Sequence, residues 1–279
     1  MYDPKRDGIL EGIIFDHDGV LSQTAPRQYD WFKHWASVNK KKLPYTNFDE
    51  FLTDYNDTLH KAEDVVCGVQ AFYDKFKLPC DMKDKKHPVW TAYDKYKTKN
   101  PVGLFPGMKE VVATVHQLGS LLPTNLTMSK RLRLAINTTN SWASISTELE
   151  KTEVLHYFDS QIGIEMLRVF HGAGDGNALK KPSSVSVGYS LLQLGTDGDY
   201  TMHVGDTRAD LAASRNVLIP GQDPRHRKNL IMVGAAWGYE GRKKLEEGTT
   251  LENGEQTHFD YIIDKPKDLI WLVRKHRGL

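Results

Sequence analysis

Cysteine is scarce. Cys67 and Cys80 are the two in 279 residues, and they show no metal-ligand spacing. Two thiols in a chain of this size fit a reducing cytosol, and both read most simply as small, half-buried hydrophobes. No charge of one sign dominates: 37 Lys and Arg stand against 36 Asp and Glu, with the signs mixed along the chain. No nucleic-acid or membrane partner is therefore expected. No apolar run approaches the roughly 20 residues that a membrane helix needs. The opening Met1-Tyr2-Asp3-Pro4-Lys5-Arg6-Asp7 is polar and leads into an apolar segment too short for a secretion signal. The sequons at Asn125 and Asn137 then read as chance matches, and a cytoplasmic location is expected. The sequence has no internal repeat and no low-complexity segment, and its pattern specifies no oligomeric state.

What is present is an alternation of short apolar runs with amphipathic stretches, which points to a parallel sheet covered by helices. Strands are expected at residues 12–15, 132–137, 158–164, 200–204, 230–235 and 261–263. Helices are expected at 106–118, 141–156, 183–194, 207–216 and 267–276, with Gly195 closing the third of these. Residues 119–130, 170–178 and 221–228 read as surface loops. The reading is an α/β, Rossmann-like core from 1–22 and 105–279, interrupted by residues 23–104. The interruption is Lys-rich and aromatic at helical spacing, for example at Tyr29, Trp31, Phe32, Trp35 and Val38. It is expected to be an inserted helical cap domain over the carboxyl end of the first strand, its aromatics forming a core of its own. The lysine runs at 40–42 and 83–86 read as solvated faces.

Chemistry is concentrated at strand ends. Asp16-His17-Asp18-Gly19 follows an apolar strand, so two carboxylates arrive at the open end of a parallel sheet, where such folds hold ligands. Burying two acids there demands a metal or a proton to resolve their repulsion, and hard Mg²⁺ takes oxygen ligands while keeping waters to exchange. Alone, the tetrad is equally compatible with a turn or a calcium loop. A second strand ends in Gly205-Asp206-Thr207, with Asp210 one helical turn on. By itself that segment is a helix cap; paired with the first, it makes an oxygen-ligand site. Asn137-Thr138-Thr139-Asn140 places hydroxyls at a helix N-terminus suited to a phosphate oxygen, or to plain capping. Lys181, ahead of Pro182, is a cation able to neutralise a carboxylate and a transferred phosphoryl group.

Taken together and in this order, these segments resemble the haloacid dehalogenase superfamily of hydrolases, most nearly its phosphoglycolate-phosphatase-like branch with a helical cap. The resemblance runs through residues 15–21, 104–107, 138–140, 181–182, 204–210, 237–239 and 260–269. It implies a Mg²⁺-dependent phosphatase acting on a small phosphorylated metabolite through an aspartyl-phosphate. Asp16 would be the nucleophile and Asp18 the acid that protonates the leaving alcohol and then activates water. Mg²⁺ would sit on Asp16, the Asp18 main-chain carbonyl and Asp206. Thr138 and the N–H of Thr139 would hold phosphoryl oxygens, strand length favouring Thr138 as the motif hydroxyl. Lys181, oriented by Asp210, would complete the clamp. His17 should point away from the phosphate. Lys180 and Ser184 stand where the family often has glycine and a second proline.

The acid at Asp18 argues against halide chemistry and favours ester cleavage over the phosphonatase route. The alternative within the family is a phosphomutase of the β-phosphoglucomutase type. The alternative from another class is a non-catalytic binding or regulatory protein, opposed by the retention of Asp16, Asp18, Lys181 and Asp206. Substrate-contacting candidates in the insertion are Arg27, His34 and His60.

Overall fold

A computed structural model describes residues 9–61, 65–120, 131–170, 176–196, 198–217 and 230–279. Along the chain run β1 (Gly12–Asp16), α1 (Thr24–Val38), α2 (Phe48–His60), α3 (Val65–Lys75), α4 (Pro88–Lys99), α5 (Met108–Ser120) and β2 (Arg133–Asn137). Then come α6 (Trp142–Thr152), β3 (Ser160–Ile162), α7 (Ile164–Phe170), α8 (Val185–Leu194), β4 (Thr201–Gly205) and α9 (Arg208–Arg215). The chain closes with β5 (Ile231–Ala235), α10 (Gly241–Glu247), β6 (Thr249–Thr250), β7 (Gln256–Thr257), β8 (Tyr261–Ile263) and α11 (Asp268–Arg277). The chain divides into two compact units: residues 1–22 with 103–279, and Gln23–Val102.

The first unit is built on a six-stranded sheet in the order β3-β2-β1-β4-β5-β8, every pair parallel. β1 is buried at all five positions, as a central strand covered on both faces must be. Side chains alternate between those faces. Ile13 and Phe15 join Leu134, Ile136, Met202 and Val204 in the larger core, against α5, α6 and α11. Ile14 and Ala135 pack on the other side with Val187, Leu191 and Leu194 of α8 and Ala213 of α9. By the same alternation Asp16 and Asn137 fall on the α8 side. Asn137 Nδ2 donates there to Ser186 O and to Ser190 Oγ, both at 2.8 Å. The strand sequence turns back between β1 and β4, so their carboxyl ends flank the topological switch point, where open α/β sheets bind ligands.

Helix ends follow local chemistry. Gly195 closes α8 in the left-handed conformation, its N–H donating to Leu191 O and Leu192 O. Thr207 caps α9 in a reciprocal capping box with Asp210. Arg277, fully buried at the end of α11, donates to Leu10 O at 2.8 Å and Gly119 O at 3.3 Å, joining the two ends of the unit.

The third strand is shorter than the expected 158–164: only Ser160–Ile162 pairs, and Ile164 already opens α7. The helix expected over 141–156 stops at Thr152, because Glu153 turns left-handed and a 3₁₀ turn, Leu155–Tyr157, follows. Helix α10 and the β6–β7 hairpin were not expected. The loops expected at 119–130, 170–178 and 221–228 lie mostly outside the described residues; their described ends finish α5 and α7 and begin a 3₁₀ turn at Gly176–Leu179. Among the described residues no helix is long and apolar enough to cross a membrane.

The second unit is helical, α1 to α4, around aromatic rings as expected: Trp31, Phe32, Trp35, Phe51, Tyr55, Phe72 and Tyr73 are buried together. Phe72 meets Phe32 edge-on at 4.7 Å and Tyr55 at 5.0 Å. Trp31 Nε1 donates to Tyr73 OH at 2.7 Å and Trp35 Nε1 to Pro79 O at 2.9 Å, so the polar atoms of the indoles are satisfied. Val38 is not part of that buried core; it ends α1 and is 57% exposed. The lysines at 40–42 and 83–86 are exposed, and neither cysteine forms a disulfide. Truncating Phe72 to alanine is expected to cost about 3–5 kcal/mol, read as a lowered urea midpoint with loss of near-ultraviolet dichroism.

Candidate active site

At the switch point β1 delivers Asp16, and β4 delivers Asp206 through Gly205. Lys181 reaches in from the turn before α8, where the Lys181–Pro182 peptide is cis and Ser183 N donates to Lys180 O at 2.8 Å. Its ammonium donates to Asp16 Oδ1 at 2.7 Å, Asp210 Oδ1 at 2.6 Å and, more weakly, Asn137 O at 3.4 Å. Asp16, Asp206 and Asp210 are all buried, and each offers an oxygen within 4.8 Å of the others. Capping is done by Thr207, not Asp206, which frees the Asp206 carboxylate for the site. Asp206 Oδ2 accepts from Tyr239 N at 2.6 Å, while its buried Oδ1 has no hydrogen-bond partner among the described residues.

Three carboxylates against one ammonium leave two uncompensated negative charges in a desolvated space. The pKa values follow. Asp206 is held well above the ordinary carboxylate value, by burial first and then by the charges of Asp16 and Asp210. Asp16 is pushed up to about 7 by burial, with Asp210 and Asp18 adding to it against the pull of Lys181. Asp210 resists burial and stays below its usual value, because Lys181, His203 and Thr207 all favour its ionised form. Lys181 overcomes its own burial and is raised by Asp16 and Asp210. A divalent cation is the natural counterion for such a set, and the unpartnered buried oxygen of Asp206 is where one fits.

Asp18 looks elsewhere. Its Oδ2 accepts from Asn140 Nδ2 at 2.8 Å and Thr138 Oγ1 at 3.2 Å. Burial opposes ionisation, but His17 and these two donors outweigh it and bring Asp18 down to about 2. His17 is fully buried, with Nε2 on Ser22 Oγ at 3.0 Å and Nδ1 3.5 Å from Asp18 Oδ2. His203 is buried behind Asp210, with Nδ1 against Ser214 Oγ at 2.6 Å, and desolvation keeps it neutral with a pKa of about 3.

Three glycines wall the acids. A Cβ on Gly19, which has φ +80°, or on Gly238 would overlap the Asp206 carboxylate, and one on Gly205 would overlap Asp210. No side chain is compatible with that packing.

A family model described as haloacid dehalogenase-like hydrolase matches residues 13–220. The chain belongs to this family. Among individual proteins, this haloacid dehalogenase-like hydrolase is 26% identical over 266 residues to the phosphoglycolate phosphatase of Aquifex aeolicus, covering 95% of this chain and 97% of that one. Its fold is similar to that of a candidate β-phosphoglucomutase from Thermotoga maritima, with TM-score 0.62 and 18% identity over 95% of this chain and 99% of that one. It is also similar to the magnesium-bound candidate hydrolase YfnB of Bacillus subtilis, with TM-score 0.59 and 13% identity over 95% and 99% of the two chains.

The structure of this family member brings together Asp16, Asp18, Thr138, Lys181, Asp206 and Asp210. Thr139 is half-buried beside Thr138. Ser184 precedes α8 without a side-chain cap bond. In the second unit His34 is exposed and stacked on Tyr96 at 5.1 Å, Arg27 is half-buried, and the His60 side chain lies outside the described residues. Sequence reasoning missed the contact of Asn140 with Asp18 and the Tyr239 N–H on Asp206. For the second, Trp237-Gly238-Tyr239 was a visible signal, matched but without a role.

Two outcomes test this account. Because Asp16 and Asp206 have raised pKa values, the cation-free protein keeps their share of stability at low pH and loses it as pH rises above the ordinary carboxylate range, through about 7 for Asp16. Mg²⁺ at 100 times its Kd should add about 2.7 kcal/mol, and the thermal shift should be larger at pH 8 than at pH 5. Gly238→Ala should fold with unchanged far-ultraviolet dichroism yet bind the cation about ten-fold more weakly, equivalent to about 1.4 kcal/mol.

Proposed function

We propose that this hydrolase is a Mg²⁺-dependent phosphatase of small phosphorylated metabolites, working through an aspartyl-phosphate on Asp16. One observation carries the reading: the Lys181 ammonium shared between Asp16 and Asp210 beside the unpaired buried oxygen of Asp206. Asp16, Asp206 and the main-chain carbonyl of Asp18 would hold Mg²⁺. Bound there, the ion supplies charge neutralisation between an anionic nucleophile and an anionic ester. The raised pKa of Asp16 supports this dependence, since a carboxylate near 7 is only partly ionised at neutral pH without a counterion.

The chain's own groups then divide the work. An Asp16 oxygen attacks phosphorus, and the bond from phosphorus to the ester oxygen breaks. Lys181 stabilises charge on the phosphoryl oxygens, with Thr138 Oγ1 and the N–H of Thr139 as further donors. Asp18 gives its proton to the departing alcohol, then takes one from the water that attacks the aspartyl-phosphate, releasing phosphate and restoring Asp16. In the free protein Asp18 is a carboxylate. A phosphate dianion arriving beside it raises its pKa by like-charge repulsion, so its acid form belongs to the substrate complex. Asp210 holds Lys181 in place.

The Aquifex relative supports phosphoglycolate as the first substrate to try. The helical unit, Gln23–Val102, is proposed as the cap that selects it. Asp16→Asn should reduce Mg²⁺-dependent release of inorganic phosphate by at least about 10³-fold, removing covalent catalysis outright. Purified protein that converts a sugar phosphate to its isomer, with no phosphate released, would select the phosphomutase reading. Absence of turnover across a broad panel of phosphate esters would select a binding protein.

A further inference from the structure

Thr138 carries one hydroxyl proton, and in this structure that proton is spent on Asp18 Oδ2 at 3.2 Å. The lone pair of the same hydroxyl accepts from Asn140 N at 3.1 Å. If Thr138 donates to a phosphoryl oxygen, it must let go of Asp18. The Asn140 side chain is not bound by that trade. Its Nδ2 donates to Asp18 Oδ2 at 2.8 Å, the shorter of the two contacts. The amide orientation is fixed chemically, since a carboxylate only accepts. Both residues lie on the segment just after β2.

We infer that Asn140 is a positioning residue that holds Asp18 during turnover by fixing its Oδ2, leaving Oδ1 to exchange protons with the leaving group and with water. The inference rests on the acid–base role proposed for Asp18. Asn140 does not touch the reacting atoms; it acts through Asp18. Its side chain is exposed, so truncation removes no core packing. The main-chain bond from Asn140 N to Thr138 survives in Asn140→Ala, and the variant isolates the side-chain contact.

The test is a leaving-group comparison in kcat/KM, which reports the steps through departure of the alcohol. Phenyl phosphate needs a proton on its leaving oxygen far more than 4-nitrophenyl phosphate does. Asn140→Ala should lower kcat/KM about ten-fold or more on phenyl phosphate and less than about three-fold on 4-nitrophenyl phosphate, a part of the effect of losing a general acid. Asp18→Asn, measured alongside, should show the same split, larger. An equal loss on both esters, or none, overturns the inference. A split in Asp18→Asn without one in Asn140→Ala removes Asn140 alone. No split in Asp18→Asn removes the acid role, and the inference with it. Wild-type protein inactive on both esters removes the proposed phosphatase function as well.

Discussion

The site is organised by a shortage of positive charge. Asp16, Asp206 and Asp210 share a desolvated space with a single ammonium among the described residues, that of Lys181. Water cannot screen the repulsion there, so the structure distributes it unequally. Asp210 takes the ammonium together with the Thr207 cap and remains ionised. Asp16 and Asp206 absorb the penalty as raised pKa values. Three further features of the sheet's open end serve this arrangement: a turn that aims Lys181 inward, a capping box that occupies Asp210, and a main-chain donor from Tyr239.

Much of this was legible in the sequence because strands repeat with period two and ligands collect at the open ends of parallel sheets. An apolar run ending in an acid fixes where that acid emerges, and the order of β1 and β4 fixes which acids meet. The sheet, the helical insertion and its aromatic core followed from patterning alone. The capping box was spelled out as Thr207-Arg208-Ala209-Asp210, although Asp206 had the better claim to the cap by residue type. The pull of Asp206 into the site depends on Tyr239, which is distant in sequence.

What the sequence did not reveal depends on rotamers and on short elements. Asn140 reads as one more polar residue beside a helix start, and nothing local says that its amide turns back to Asp18. The helix α7 follows β3 after a single residue, Gly163, and a strand of three residues is too short for periodicity to separate it from the helix. The two-residue strands of the β6–β7 hairpin are too short to carry a pattern. Val38 obeys the spacing of its helix but lies at the last position, where nothing remains to cover it.

The base of the insertion has a consequence for how the chain can change. Gly19 N donates to Ser22 O at 3.1 Å, Phe105 N donates to Leu21 O at 2.9 Å, and Ser22 bridges antiparallel to Leu104. The outgoing and returning strands of the connection are thus tied to each other within the core unit. For a loop whose ends are already fastened, doubling its length adds only about 0.6 kcal/mol of closure entropy. Material between those ties can be lengthened, shortened or exchanged with little strain on the sheet. Relatives sharing these carboxylates are therefore free to diverge most in the segment between Ser22 and Leu104, and a graft across that boundary is the natural place to swap one insertion for another.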